Sequence, residues 1–363
     1  MTSLVLTDDS KQYQDLARDF SANEIATRAE ASDHKGVLPQ DLWKKVWEMG
    51  LANMQVPEEF GGLGLSCVDA TVVAEELGAG CAGITAAFWG TDLAVAPLLV
   101  AGTTEQKKKY IEPLTSEFGL AGFTLAGSFN IKNGKLYGEG YCVNARNANW
   151  VLVKIDTAHG ASTIYIVEVK GNAQVRVGEQ MPRIGLKAAD ISMIYFNDAQ
   201  LPPANVLGKD GGGHSVCGQV EPRVAPIIAA YATGMARAAL EHAVRYGKER
   251  QTFGVPIVNH QGVQFMLADM AKNLESARLL TRKAAWMVDK GEDCAIESMT
   301  ARTFALETAM QAATDAVQVF GGYGYSREYP VEKLMRDVKT MTALLTSPLR
   351  SKIAVGEALL AAR

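Results

Sequence analysis

The sequence predicts an α+β chain in three parts: an N-terminal helical domain, a middle antiparallel β domain and a C-terminal four-helix bundle. Three observations carry this. Apolar residues recur at helical spacing up to about residue 118. From 119 to about 213 they give way to short β-branched and aromatic runs cut by Gly, Asn and Asp. From 214 to 363 Ala-rich segments return to the 3.6-residue period over long stretches.

In the first part, residues 1–118, Leu16, Phe20 and Ile25 form one apolar face, and Leu42, Val46, Met49 and Leu51 another. The turn VPEEFGGLGLS (56–66) separates two helical stretches through its Pro and glycines. From Leu77 to Gly102 the chain carries one charge, Asp92, and is long enough to cross a membrane. Gly78, Gly80, Gly83, Gly90 and Pro97 interrupt it, and an acid near its middle is costly in lipid. A buried core helix pair and no membrane insertion are therefore expected. The Lys-rich helix that starts near Gln106 reads as a solvated face.

In the second part, 119–213, YCVNA, NWVLVKI, STIYIVEV, AQVRVG and ISMIYF are the strands, and LPPANVLGKDGGG (201–213) is the linker out. In the third part, 214–363, helices are expected at 227–246, 261–290 and 295–319, with Leu267, Met270 and Leu274 on one face. Long amphipathic helices with short connections imply a bundle.

The chain has 363 residues and a net charge of −4, so it can bury a sizeable core and has no global basis for nucleic-acid binding. Five scattered cysteines lack zinc spacing and read as reduced thiols, with no metal site expected. The N-terminus shows no charged-then-apolar signal pattern, and a cytoplasmic location is expected. A Walker-type phosphate loop is missing from the sequence.

The string QVFGGYGYSREYPVEKLMRDVK (318–339) is the most specific feature. Gly321, Gly322 and Gly324 allow backbone to approach something bulky, and Gln318 offers an amide one helical turn earlier. The plain alternative is a Gly-rich turn between helices. The string closely resembles the C-terminal motif of the flavin-dependent acyl-CoA dehydrogenase family, and RQTFGVPIVNHQ (250–261) resembles the family's R-x-x-F-G-x-P-I-x-x-x-Q. The segment RIGLKAADISMIYFNDAQLPPANVLG (183–208) and the turn at 56–66 add to a resemblance spanning nearly the whole chain. It implies FAD, with Arg250, Thr252 and Phe253 at the pyrophosphate and Gln318, Gly321 and Gly322 near the adenosine part, all serving a neighbouring subunit. A guanidinium fork suits phosphate oxygens. Arg250 read alone equally ends a helix and favours its dipole.

Three departures from the family pattern stand out. The family's T-E-P-x-A-G-S-D becomes FTLAGSFN (123–130), keeping Thr124 and Ser128 as cofactor-side residues and losing several that follow. The Thr expected near the flavin ring becomes Val143, within Cys142-Val143-Asn144. The position of the catalytic Glu, nine residues after Arg336, holds Leu345. The alternative base position in some members falls on Val224, with Glu221 one turn away. Asp92, alone among apolar neighbours in a segment that resembles the acyl-pocket wall, is the first choice for the base and Glu221 the second. Asp92 equally reads as a helix cap or the partner of a buried Arg.

The resemblance implies desaturation of an acyl-CoA thioester. A base removes the α-proton, and hydrogen bonds to the thioester carbonyl acidify that carbon. Three functions remain open at this stage. The first is a flavoenzyme on acyl-CoA with an atypical or displaced base, or with a base-independent reaction such as β-elimination. The second is a non-catalytic subunit completing a homologous partner's FAD site. The third is a flavin-free CoA-ester binder. A homo- or hetero-oligomer is expected, with an electron-transfer flavoprotein as an implied further partner.

Overall fold

A computed structural model describes residues 6–157, 160–345 and 348–361. The N-terminal stretch read for a targeting signal is thus described only from residue 6. Helices α1 (Asp8–Phe20), α2 (Ala29–Lys35) and α3 (Gln40–Glu48) open the chain, followed by the long α4 (Cys67–Ala101) and the short α5 (Thr104–Tyr110) and α6 (Glu112–Ser116). Ser66 caps α4 by accepting the Asp69 N–H, and Asp289 accepts from the Cys67 and Val68 amides. The α4 backbone leaves helical geometry at Cys81 (φ −170°, ψ 111°), so α4 is two helices joined across a kink, in keeping with the expected pair of core helices. It is buried against α1 and its neighbours in this fold, which accounts for its apolar run.

The middle part is a seven-stranded sheet of β1 (Leu120–Lys132), β2 (Lys135–Val143), β3 (Ala148–Asp156), β4 (Ser162–Glu168), β5 (Val175–Gln180), β6 (Ile191–Gln200) and β7 (Val206–Leu207), in the order β5-β6-β2-β1-β3-β4-β7. The sheet is mixed rather than antiparallel throughout, because β1 pairs with β3 in parallel. The reason lies in connectivity. The β1–β2 hairpin closes through Asn133 and Gly134, both at positive φ, and occupies one edge of β1. The chain then returns along its other edge in the same direction as β1. Alternating side chains were legible in the strands; which strand lies beside which was not.

The C-terminal part contains α7 (Gly213–Glu249), the two-residue strands β8 (Gln251–Thr252) and β9 (Val255–Pro256), then α8 (Gln261–Asp289), α9 (Ala295–Phe320), α10 (Pro330–Leu344) and α11 (Pro348–Ala361). Helices α7 to α10 form the bundle, and α11 packs on α9. The first half of α4 lies so close to α7 that two glycines are required. A Cβ on Gly234 would stand 2.0 Å from the Glu75 carbonyl oxygen, and one on Gly78 2.5 Å from that of Tyr231. The loop of the 183–208 segment docks on α10, where Asp337 accepts the Leu186 N–H and Thr340 that of Gly185. That motif therefore joins sheet to bundle.

Candidate active site

Two regions gather the sequence-predicted residues. The first lies at the end of the bundle. Arg250 follows α7 as an exposed residue, with its guanidinium 5.7 Å from the Tyr323 ring centre. Thr252 bonds His260 Nε2 at 2.9 Å. Together with Gly321 and Gly322 they line a surface cleft of about 430 Å³. Its floor is aromatic: Tyr246 stacks on Phe320 with ring centres 4.0 Å apart. Tyr246 stands one helical turn before Arg250, a spacing that was available in the sequence and passed unused.

The glycines of this cleft differ in role. Gly321 has φ +59°, and a Cβ on Gly321 or Gly322 would meet no atom of this chain within 4 Å. Their space is left for something else. Gly324, expected to share that role, instead lies 2.4 Å (measured from an added Cβ) from the Val317 carbonyl oxygen, so its requirement is internal packing. Gln318 is exposed one turn before Gly321. Phe253 is 98% exposed at φ +53°, an apolar side chain held out from its own subunit.

The second region is the seam between the sheet and the bundle. Phe123 of β1 and Val224 of α7 each pack against both of the apolar clusters that flank the seam. The turn of α4 carrying Asp92 borders it too, with Leu93 on one cluster and Ala96 on the other. All of these side chains are half-buried. Asp92 lies deep in protein yet keeps a partial opening to solvent. Burial pushes its carboxyl up to about 7, against a smaller downward pull from the Asn53 backbone N–H. No ion pair or buried Arg neutralises it among the described residues. Tyr231 on α7, fully buried and with no partner for its hydroxyl among the described residues, feels the Asp92 charge.

Glu221 is placed differently. Its carboxylate accepts from Arg302 at 2.9 Å, and Arg302 is 1% exposed and also donates to Ser351. That carboxylate is occupied holding a buried guanidinium across α7, α9 and α11. Leu345 follows α10 with its backbone N–H on Met341 O and its side chain against the main core. Thr124 donates to Leu152 O, while Ser128 is exposed on β1 opposite Glu139. Val143 is 1% exposed and turned into α4, where a Cβ on Gly90 would collide with its Cγ1 at 2.6 Å.

Two family models match the chain: the acyl-CoA dehydrogenase N-terminal domain over residues 7–117 and the acyl-CoA dehydrogenase C-terminal domain over residues 223–345. This chain belongs to the acyl-CoA dehydrogenase family. Members of that family are FAD-dependent flavoprotein oxidoreductases that act on acyl-CoA, typically as oligomers. An acyl-CoA dehydrogenase of Bacillus subtilis is 37% identical over 357 residues, covering 92% of this chain and 93% of that protein. The cyclohex-1-ene-1-carbonyl-CoA dehydrogenase of Geobacter metallireducens is 33% identical, covering 98% of this chain and 99% of that protein. The solved butyryl-CoA dehydrogenase of Megasphaera elsdenii superposes with a TM-score of 0.93 at 30% identity, over 99% of this chain and 100% of that one.

Proposed function

We propose that this acyl-CoA dehydrogenase family member is a flavoenzyme that oxidises an acyl-CoA thioester and uses Asp92 as its base in place of the residue at Leu345. The observation that carries this reading is a half-buried carboxyl in the seam, free of cationic partners among the described residues and raised to about 7. A base poised near neutrality takes a proton without holding it too tightly. Leu345 cannot accept a proton, and Glu221 is engaged by Arg302.

The cleft at the bundle end fits the nucleotide part of FAD. Gly321 and Gly322 leave a cradle that side chains would fill, Arg250 offers a guanidinium, and the aromatic floor suits a planar base. FAD, when bound, accepts the substrate's β-hydrogen as hydride. The chain's own part is to seat the acyl group against Phe123, Leu93 and Val224 and to withdraw the α-proton at the Asp92 carboxylate. The surface position of Arg250 and the exposed Phe253 support a site shared between subunits of an oligomer. A cytoplasmic location and an electron-transfer flavoprotein as electron acceptor belong to the same proposal.

Two results test this. Arg250→Ala removes a charge-assisted contact worth about 1.5–3 kcal/mol, so FAD affinity should fall about 10- to 100-fold. Fluorescence titration of apoprotein with FAD reads this directly, and unchanged affinity would remove Arg250 from the cofactor site. The second is a pH profile. Only the ionised carboxylate is a base, so kcat/KM should rise with pH through about 7 and level off above it. A profile flat from pH 5 to 9 would contradict the assignment.

A second reading has its own observation. Val143 stands where the family pattern places a hydroxyl near the flavin, and it is packed into α4 rather than presented to a cofactor. In that reading the chain completes the FAD site of a homologous partner and does no chemistry. Protein that binds FAD only when mixed with such a partner would favour it, and protein colourless under both conditions would leave the CoA-ester binder.

A further inference from the structure

Three buried groups meet where the kink of α4 lies against α10, outside both regions described above. Lys333 Nζ donates to Cys81 Sγ at 3.0 Å and to the Asp337 carboxylate. Cys81 is 2% exposed, Asp337 1% and Lys333 9%. Cys81 is the residue at which α4 leaves helical geometry, so its sulfur is presented by a break in the rod. Lys333 and Gly80 also line a cavity of about 330 Å³ whose rim includes the exposed Glu30, Arg327 and Glu328. The lysine of the pair is thus open to a small solute from solvent. Elsewhere, Cys67, Cys142 and Cys294 are buried with no lysine bonded to sulfur among the described residues, and Cys217 is exposed.

We infer that Cys81 and Lys333 form a peroxide-sensitive modification site, converted by hydrogen peroxide into a covalent sulfur–nitrogen link between α4 and α10. In the first step the Cys81 sulfur attacks one peroxide oxygen and the O–O bond breaks. The products are a sulfenic acid and, after the thiol proton has moved to the departing hydroxide, one water. Sulfur loses two electrons and peroxide gains them. In the second step Lys333 passes one proton to Asp337, and its nitrogen attacks sulfur. The S–O bond breaks, and the hydroxide leaves as water with a proton from nitrogen. Cys81 and Lys333 are then joined as a sulfenamide, and the net change consumes one peroxide and yields two waters and one proton.

The neighbours suit each step. Burial lowers the Lys333 ammonium, but Asp337 and the Cys81 sulfur outweigh it and hold the ammonium protonated. Lys333 Nζ bonds both groups, so the amine that has passed a proton to Asp337 stands next to the sulfur it must attack. Asp337 is fixed by the Leu186 N–H and stands ready for the proton. The 3.0 Å starting separation needs only a small movement of a flexible lysine.

The test treats the purified full chain with hydrogen peroxide, digests it with trypsin without reductant and reads the peptides by mass spectrometry. Expected is a joined pair, carrying Cys81 and an uncut Lys333, equal to the sum of its peptides less two hydrogens and separated again by dithiothreitol. Lys333→Arg keeps a cation beside Asp337 but lacks the amine, and should leave Cys81 unlinked or oxidised to its acids. Cys81→Ser should restore cleavage after Lys333 under the same treatment. Native protein whose Cys217 is oxidised while no joined pair forms would overturn the inference, as would the same joined pair in Lys333→Arg.

Discussion

Asp92→Asn should lower turnover of any acyl thioester this chain oxidises by about 10²–10⁴-fold while leaving FAD bound, because it removes the carboxylate and little else. Asn matches Asp in size and still accepts the Asn53 N–H. The protein should also report the change through its stability, with a sign that separates it from damage. The folded carboxyl is raised from 3.8 to about 7, so folding favours its protonated form. The stabilising difference is present below about pH 4 and is lost as pH rises through about 7. The Asn variant never ionises at this position, so it should melt higher than the native chain at pH 8 and close to it at pH 4. A variant less stable at every pH and equally active would show that Asp92 is structural.

Gly234→Ala should destabilise the chain by about 3 kcal/mol or more, at or beyond the upper end for overpacking, because the new methyl group meets backbone and not a movable side chain. Its Cβ would stand 2.0 Å from Glu75 O and 2.8 Å from Ala79 N, on the face where α4 and α7 touch. Relief would require the helices to separate. That would strain the ion pairs of Glu75 with Arg278 and of Glu76 with Arg237, all largely buried. Gly356→Ala on α11 is the comparison, since a Cβ there meets nothing within 4 Å and Ala is the better helix former. Denaturant midpoints followed by helical circular dichroism should fall sharply for the first variant and hold or rise for the second. Equal shifts would contradict the close-packing account.

Much of this architecture was legible from periodicity, and the limits of legibility have physical causes. The helices of the bundle follow from long 3.6-residue patterns that only a buried apolar face sustains. The alternation of the strands shows their faces but carries no record of their neighbours, so the parallel β1–β3 pair was not foreseen. The extended backbone at Cys81 is a conformation that any residue adopts, and the residue type gave no sign of it. At the site, the Arg250 and Gly321–Gly322 motifs stood out in the sequence, and the fold brings them to one cleft. Gly324 was misassigned because a glycine needed for internal packing looks the same in sequence as one needed for a ligand. Arg302 could not be matched to Glu221 beforehand, since 81 positions separate them and the bundle alone brings them together. Tyr231 lay unnoticed for the same reason: its interest comes from Asp92 on another helix.

The central claim is that Asp92 withdraws the α-proton, and isotope exchange tests it without requiring oxidation. The FAD-loaded protein is incubated with an acyl-CoA deuterated at its α-carbon and carrying sulfur in place of the β-carbon, so that proton removal is the only event available. Loss of deuterium to water is then followed by mass spectrometry. The account predicts steady wash-out with the native chain, wash-out at the same rate with Leu345→Ala, and none above the uncatalysed rate with Asp92→Asn. Wash-out by Asp92→Asn at the native rate would contradict it.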